Sequence, residues 1–145
     1  MEKYSATDLR GEFAMTLKGF MHEMYNWEVS YYQKSINAFG SDLSEVDLEE
    51  VMRKDLLKIF RQYVVEEGRN YERLENLVCG RNPDYDEDND EVEIINRDEK
   101  KVSVIIKKTK GLIAVFRLSF VMIDGVFMVE GRDLKSGQKW HKTYV

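Results

Sequence analysis

The side chains with the most chemistry to offer are crowded into one loop. Asp84, Asp86, Asp88 and Asp90 alternate along it, with Tyr85 and Glu87 between them. Carboxylates at positions 1, 3, 5 and 7 are how an EF-hand loop presents oxygen ligands to calcium. The pattern then breaks. Asn89 stands where the sharp turn wants glycine, and Ile95 where a bidentate glutamate would close the shell. The run reads first as a solvated acidic loop and only second as a weak divalent site.

The remaining reactive side chains are scattered. His22 and His141 fit no metal-ligand spacing, and His22-Glu23 lacks the second histidine that a zinc-protease helix requires. Cys79 has no CxxC partner and follows an apolar stretch, so it reads as a buried or capping thiol rather than a nucleophile. No glycine loop suited to phosphate is present. Glu28, Asp55, Arg117 and Glu130 are the loose candidates for an acid and a base. Trp27, Tyr31, Tyr32, Tyr63 and Tyr71 could line a pocket, although aromatics at helical spacing more often build a core. No catalytic set, metal or cofactor is expected from these residues.

The elements that must position these groups begin with a helix. Leu9, Phe13, Leu17, Phe20, Met24, Trp27 and Tyr31 step by three and four, tracing one helical face. Ser5 or Thr7 would cap that helix near Asp8, Gly40 would end it, and a break near Asn26 to Ser30 is allowed. After Ser41-Asp42 and Ser44 a second helix carries Leu48, Val51, Met52, Leu56, Ile59, Phe60, Tyr63 and Val64 inward, and Gly68 stops it. A short third helix holds Tyr71, Leu74, Leu77 and Val78 and stops at Gly80. The acidic loop over 81–90 contains the only proline, Pro83.

Beyond the loop everything reads as strand. Glu91 to Arg97 and Val102 to Lys108 are joined at Asp98-Glu99-Lys100. The longest pair runs from Leu112 to Asp133, closed by Asp124-Gly125, a dipeptide suited to the positive φ of a type I′ turn. Leu112, Ala114, Phe116, Leu118, Phe120 and Met122 share one face. Ile113, Val115, Arg117, Ser119, Val121 and Ile123 share the other. Apolar residues on both predict cover on both. Leu134 to Gln138 reads as a turn around Gly137, and Lys139 to Val145 as a last strand. Helices followed by strands mean an α+β fold, with N-terminal helices packed on a curved antiparallel sheet of about five strands. One domain over 1–145 is expected: a helical part over about 5–80, the loop over about 81–90 and a meander over about 91–145.

Charge is divided between the halves. Residues 1–96 hold 11 Lys/Arg against 22 Asp/Glu, a net of −11, whereas residues 97–145 hold 11 against 5, a net of +6; together they make −5. An acidic helical half argues against nucleic-acid binding by that half and favours a basic partner, if there is one. Charge alone is also explained by solubility. No apolar run is long enough to span a bilayer. The polar start shows no signal peptide, and the single cysteine suits a reducing compartment. A cytoplasmic location is the expectation.

Several strings carry a family resemblance. They are Met24-Tyr25-Asn26-Trp27-Glu28, Tyr71-Glu72-Arg73-Leu74-Glu75, and Pro83-Asp84-Tyr85-Asp86 leading to Asn89-Asp90-Glu91. Ile123-Asp124-Gly125-Val126-Phe127-Met128-Val129 completes the set. With the order of elements, the chain resembles the immunity proteins of nuclear transport factor 2-like fold found beside polymorphic toxins in bacteria, including Rhs-type toxins. The family's hairpin commonly carries Gly-x-Trp-x-Ile; here Phe127 replaces the Trp and Val129 follows. The fold's usual early hairpin between helices two and three is hard to find.

The resemblance implies a cone-shaped fold and a binding protein without a reaction of its own. Such a protein neutralises a sibling toxin in the producing cell's cytoplasm, by covering its active site or substrate surface. An acidic surface mimicking nucleic acid fits that role. Asp84, Tyr85, Asp86, Glu87, Asp88 and Asp90 are the expected contact surface, with Tyr85 as anchor and the carboxylates steering. Two alternatives stand beside it. One is a small-ligand binder or enzyme using a cavity lined by Trp27, Tyr31, Tyr63 and Tyr71. The other is a homodimer through the outward sheet face, at Ile113, Val115 and Val121. No contact with nucleic acid or membrane is expected.

Overall fold

A computed structural model of the chain describes residues 3–5, 12–38, 45–77, 79, 81–111 and 113–145. In order, the elements are β1 (Lys3–Ser5), α1 (Glu12–Ala38), α2 (Glu45–Tyr63), a 3₁₀ helix (Asn70–Glu75), β2 (Glu91–Arg97), β3 (Lys101–Lys107), β4 (Val115–Ile123), β5 (Val126–Ser136) and β6 (Lys139–Thr143). The strands form one antiparallel sheet in sequence order, with β1 and β6 at its edges. The α+β layout of helices on an antiparallel meander is as expected. The short β1 adds a sixth strand, in which Ser5 pairs with Glu91.

Helix α1 runs 27 residues without the allowed break. Phe13, Leu17, Phe20, Met24, Trp27 and Tyr31 are all buried, so the three-and-four ladder is the core face. The cap at Thr7, the start near Asp8, the stop at Gly40 and the restart at Ser41 to Ser44 lie outside the described residues. In α2, Met52, Leu56, Ile59 and Phe60 point inward, but Val51 is half exposed. Its place on the wheel falls just beyond the contact with α1. The helix ends at Tyr63, before Gly68, and the positive φ of Gly68 (+57) serves the turn into the following 3₁₀ helix instead of stopping α2. The third helix is a 3₁₀ turn ending at Glu75, short of Leu77. Where an early hairpin is usual, Val64 bridges Val129 in parallel, and Val65 N–H donates to Val129 O at 2.9 Å.

The hairpin turn is as expected, with Asp124 at φ 50 and Gly125 at φ 83. The strands around it differ. β4 begins at Val115, leaving Ile113 and Ala114 outside it, and Leu112 is not among the described residues. β5 continues through Leu134 to Ser136, because β6 pairs with it as far as Lys139, and only Gly137 and Gln138 turn. Phe116, Leu118 and Phe120 are buried under the helices, while Val115, Arg117, Ser119 and Val121 opposite them are only partly buried. The expectation of cover on both faces fails, since the helices pack on one face of the sheet. Phe127 keeps the aromatic role of the missing Trp, edge-on to Phe13 at 6.2 Å.

Candidate functional site

Strand parity and one bulge bring a set of charges into the core. Val102, Val104 and Ile106 face inward, and Lys108 continues the same alternation one step past β3. On β5, Val129 opposes Phe120 but Gly131 opposes Ser119, so Glu130 is an inserted residue. That shift turns Arg132 inward. The 3₁₀ helix contributes Arg73 and Asn70, and α1 contributes Glu28; all are at least nine-tenths buried.

These groups fasten the acidic loop. Glu28 Oε2 accepts the Asp84 N–H at 2.7 Å, and its Oε1 lies 3.4 Å from Arg73 Nη2. The Arg73 guanidinium stacks 5.0 Å from the Trp27 ring and also donates to the Asn76 carbonyl. Arg132 Nη1 lies 3.6 Å from Asp84 Oδ2 and 3.4 Å from the Tyr85 hydroxyl, with its carbon 4.4 Å from the Phe116 ring. Asp90 takes Lys108 Nζ at 2.7 Å and the Asp86 N–H at 2.8 Å. Asp86 in turn accepts from Asn89 Nδ2 at 2.7 Å. Burial, reinforced by the Asp84 charge, pushes the Glu28 carboxyl up to about 8. Burial also raises Asp90, against the opposing pull of Lys108.

The loop is therefore built into the fold rather than solvated. Tyr85 is 0 % exposed, its ring edge-on to Phe20 at 5.0 Å, and Asp90 is 2 % exposed. Neither offers surface to a partner, so the expected Tyr85 anchor is a core residue. Asp84, Asp86 and Glu87 are partly exposed and Asp88 is exposed. Glu87 Oε1 meets His22 Nδ1 at 2.7 Å, tying the loop's far side to α1. Asp84, Asp86 and Asp90 point to different partners, and among the described residues no group of three or more His, Cys, Asp or Glu is arranged to hold a metal.

The aromatic residues are separated by the same packing. Trp27 and Tyr31 are buried; Trp27 Nε1 donates to Met52 O at 3.1 Å, and the Tyr31 hydroxyl donates to Asp55. Tyr71 donates to Val64 O at 3.1 Å with its ring against Phe60, and Tyr63 packs against Phe20. A groove of about 460 Å³ lies elsewhere, where β6 gives way to residues 67–70 along the edge of β5. It is lined by Arg69, Asn70, Glu130, Arg132 and Lys142 among others, and by none of the four aromatics. Of the loose acid and base candidates only Glu130 reaches it. Arg117 does not line it but binds Asp133, which does, at 2.8 Å, and Asp55 serves Tyr31. Burial pushes the Cys79 thiol up to about 11, which keeps it protonated and a poor nucleophile.

Arg73, Arg132 and Lys108 escaped the sequence reading. Lys108 had a signal, since it stands on the buried parity of β3. Arg132 had none, because the bulge that turns it inward is not visible in the alternation.

A long helix and a second helix lie on one face of an open antiparallel sheet over an apolar core that holds a few buried charges, an arrangement consistent with an α+β fold of the nuclear transport factor 2 type. A family model described as NTF2 fold immunity protein matches residues 12–144. The chain belongs to that family, whose role is to neutralise toxins. No curated protein and no solved structure matches it. No helix among the described residues is long and apolar enough to cross a membrane.

Proposed function

We propose that this protein binds one cognate bacterial toxin and holds it inactive by covering its active site or substrate surface, with no reaction of its own. The match to the immunity family over residues 12–144 carries the reading. The toxin is a polymorphic toxin of the kind delivered by Rhs proteins, and the neutralisation takes place in the cytoplasm of the producing cell. Its docking surface is basic, which suits an enzyme that works on nucleic acid or the translation machinery.

The exposed rim of the acidic loop supplies the steering: Asp84, Asp86, Glu87 and Asp88 project from a segment that Glu28, Arg132 and Lys108 hold rigid. A rigid loop loses little conformational entropy on docking, which favours affinity. Tyr85 and Asp90 serve this surface from below, by fixing the loop.

Co-expression with the toxin encoded beside this gene tests the proposal. Cell survival and a stoichiometric complex are expected. Cell death with no complex, from cells shown to make both proteins, overturns it. At the rim, Glu87→Gln with Asp88→Asn slows association and flattens its salt dependence while the fold persists. Stopped-flow association at two ionic strengths reads this out, and an unchanged rate removes the loop from the interface.

A further inference from the structure

Helix α1 has two apolar faces. One is the core ladder. The other is formed by Tyr25, Val29, Tyr32 and Ile36, with steps of four, three and four, the spacing of a seam that packs on another element. Val29 is 42 % and Ile36 50 % exposed, and both tyrosines are partly exposed.

The surroundings of this stripe are unusual for so charged a chain. Between Tyr25 and Asn37 the only charged residues are Glu28, which is buried, and Lys34. Asn26, Ser30, Gln33, Ser35 and Asn37 complete the exposed surface. Tyrosine, aliphatic and amide side chains with charge depleted are the composition of an interface centre. The acidic loop borders the same stretch of α1, since Asp84 N–H sits on Glu28 and Glu87 on His22. An uncharged apolar centre thus lies beside an acidic rim.

We propose that this stripe is the centre of the docking surface for the cognate toxin, with the acidic loop as its rim. The inference rests on the immunity reading above. The charge distribution selects the occupant. A second copy of the chain, with its net charge of −5, would set acidic rim against acidic rim. A toxin patch with an apolar centre ringed by lysine and arginine matches both parts.

The test is real-time binding of the protein to the toxin domain encoded beside its gene, carried as an inactive variant. Val29→Glu and Ile36→Glu should each weaken binding about tenfold or more, chiefly through faster dissociation. An added carboxylate favours a basic partner at long range, so a loss reports desolvation of the apolar centre. Tyr32→Ala adds no charge and should show the same loss. Met15→Glu, at an exposed site outside the stripe, should bind like wild type. Matched far-UV circular dichroism and melting establish that the variants fold. If wild type binds and the three stripe variants bind equally well, the inference falls while the immunity reading stands. If wild type does not bind, both fall. Sedimentation equilibrium of the protein alone at tens of micromolar should report a monomer; a dimer that Ile36→Glu dissociates would assign the stripe to a second copy and overturn the proposal.

Discussion

Individual side chains in this molecule divide into those that fill space and those that hold charge where water is absent. Phe120 belongs to the first kind: it is fully buried and edge-on to Phe13 at 5.0 Å. Phe120→Ala should cost about 3–5 kcal/mol in chemical denaturation, from lost transfer energy and the cavity left behind. Asp90 and Lys108 are of the second kind, both nearly inaccessible at 2.7 Å. Lys108→Met alone strands a buried carboxylate and should cost about 3–5 kcal/mol, whereas Lys108→Met with Asp90→Asn should come out nearer to wild type. Urea melts of the single and double variants measure the difference. Glu28 adds a pH dependence. Its folded carboxyl titrates near 8, above its ordinary value of 4.5. The folded state then holds a proton the unfolded chain has released, so this group's stabilisation is full below about 4.5 and is lost as pH rises toward 8. The loss is up to about 1.4 kcal/mol per pH unit within that window. Glu28→Gln should remove it, making stability between pH 5 and 8 flatter than in wild type; parallel curves would show that Glu28 is not the group responsible.

At the scale of elements, the turns and the bulge carry more than the strands they interrupt. Gly125 holds φ +83 with open space around a would-be Cβ, so Gly125→Ala meets backbone strain and no clash. A loss of about 1 kcal/mol, read by thermal melting, is expected from that strain alone. The bulge at Glu130 changes which side chains of β5 face the helices, and it is why Arg132 rather than Gly131 faces inward and meets Tyr85. The acidic loop is an element in its own right. It has no helix or strand, yet Glu28, Arg132 and Lys108 anchor it from three other parts of the chain.

At the scale of the whole molecule, charge is arranged by layer. The acidic side chains gather on the helices and the loop, while the meander beyond residue 96 is net basic. That division leaves an acidic border beside an uncharged stripe on α1, which is where we propose that a basic partner docks. On the open sheet face opposite the helices Arg117 touches both Asp133 and Trp140, lying 4.6 Å from the Trp140 ring. Its exposed apolar area is thereby interrupted by a polar cluster.

Much of this was legible from sequence because periodicity is local. The ladder from Phe13 to Tyr31, the alternation through Val102 to Ile106 and the Asp124-Gly125 turn each express a backbone geometry that neighbouring residues enforce on one another. The family resemblance drew on the same local strings. Burial of the acidic loop was not legible, because nothing near Tyr85 in sequence says that Phe20 and Arg132 will close over it. Those partners stand 65 and 47 residues away. A carboxylate reads as solvated until the fold brings a cation to it, and an exposed helical face reads as ordinary until the packing shows that the core has used the other one. Long-range pairing decided both, and with them which residues stay at the surface.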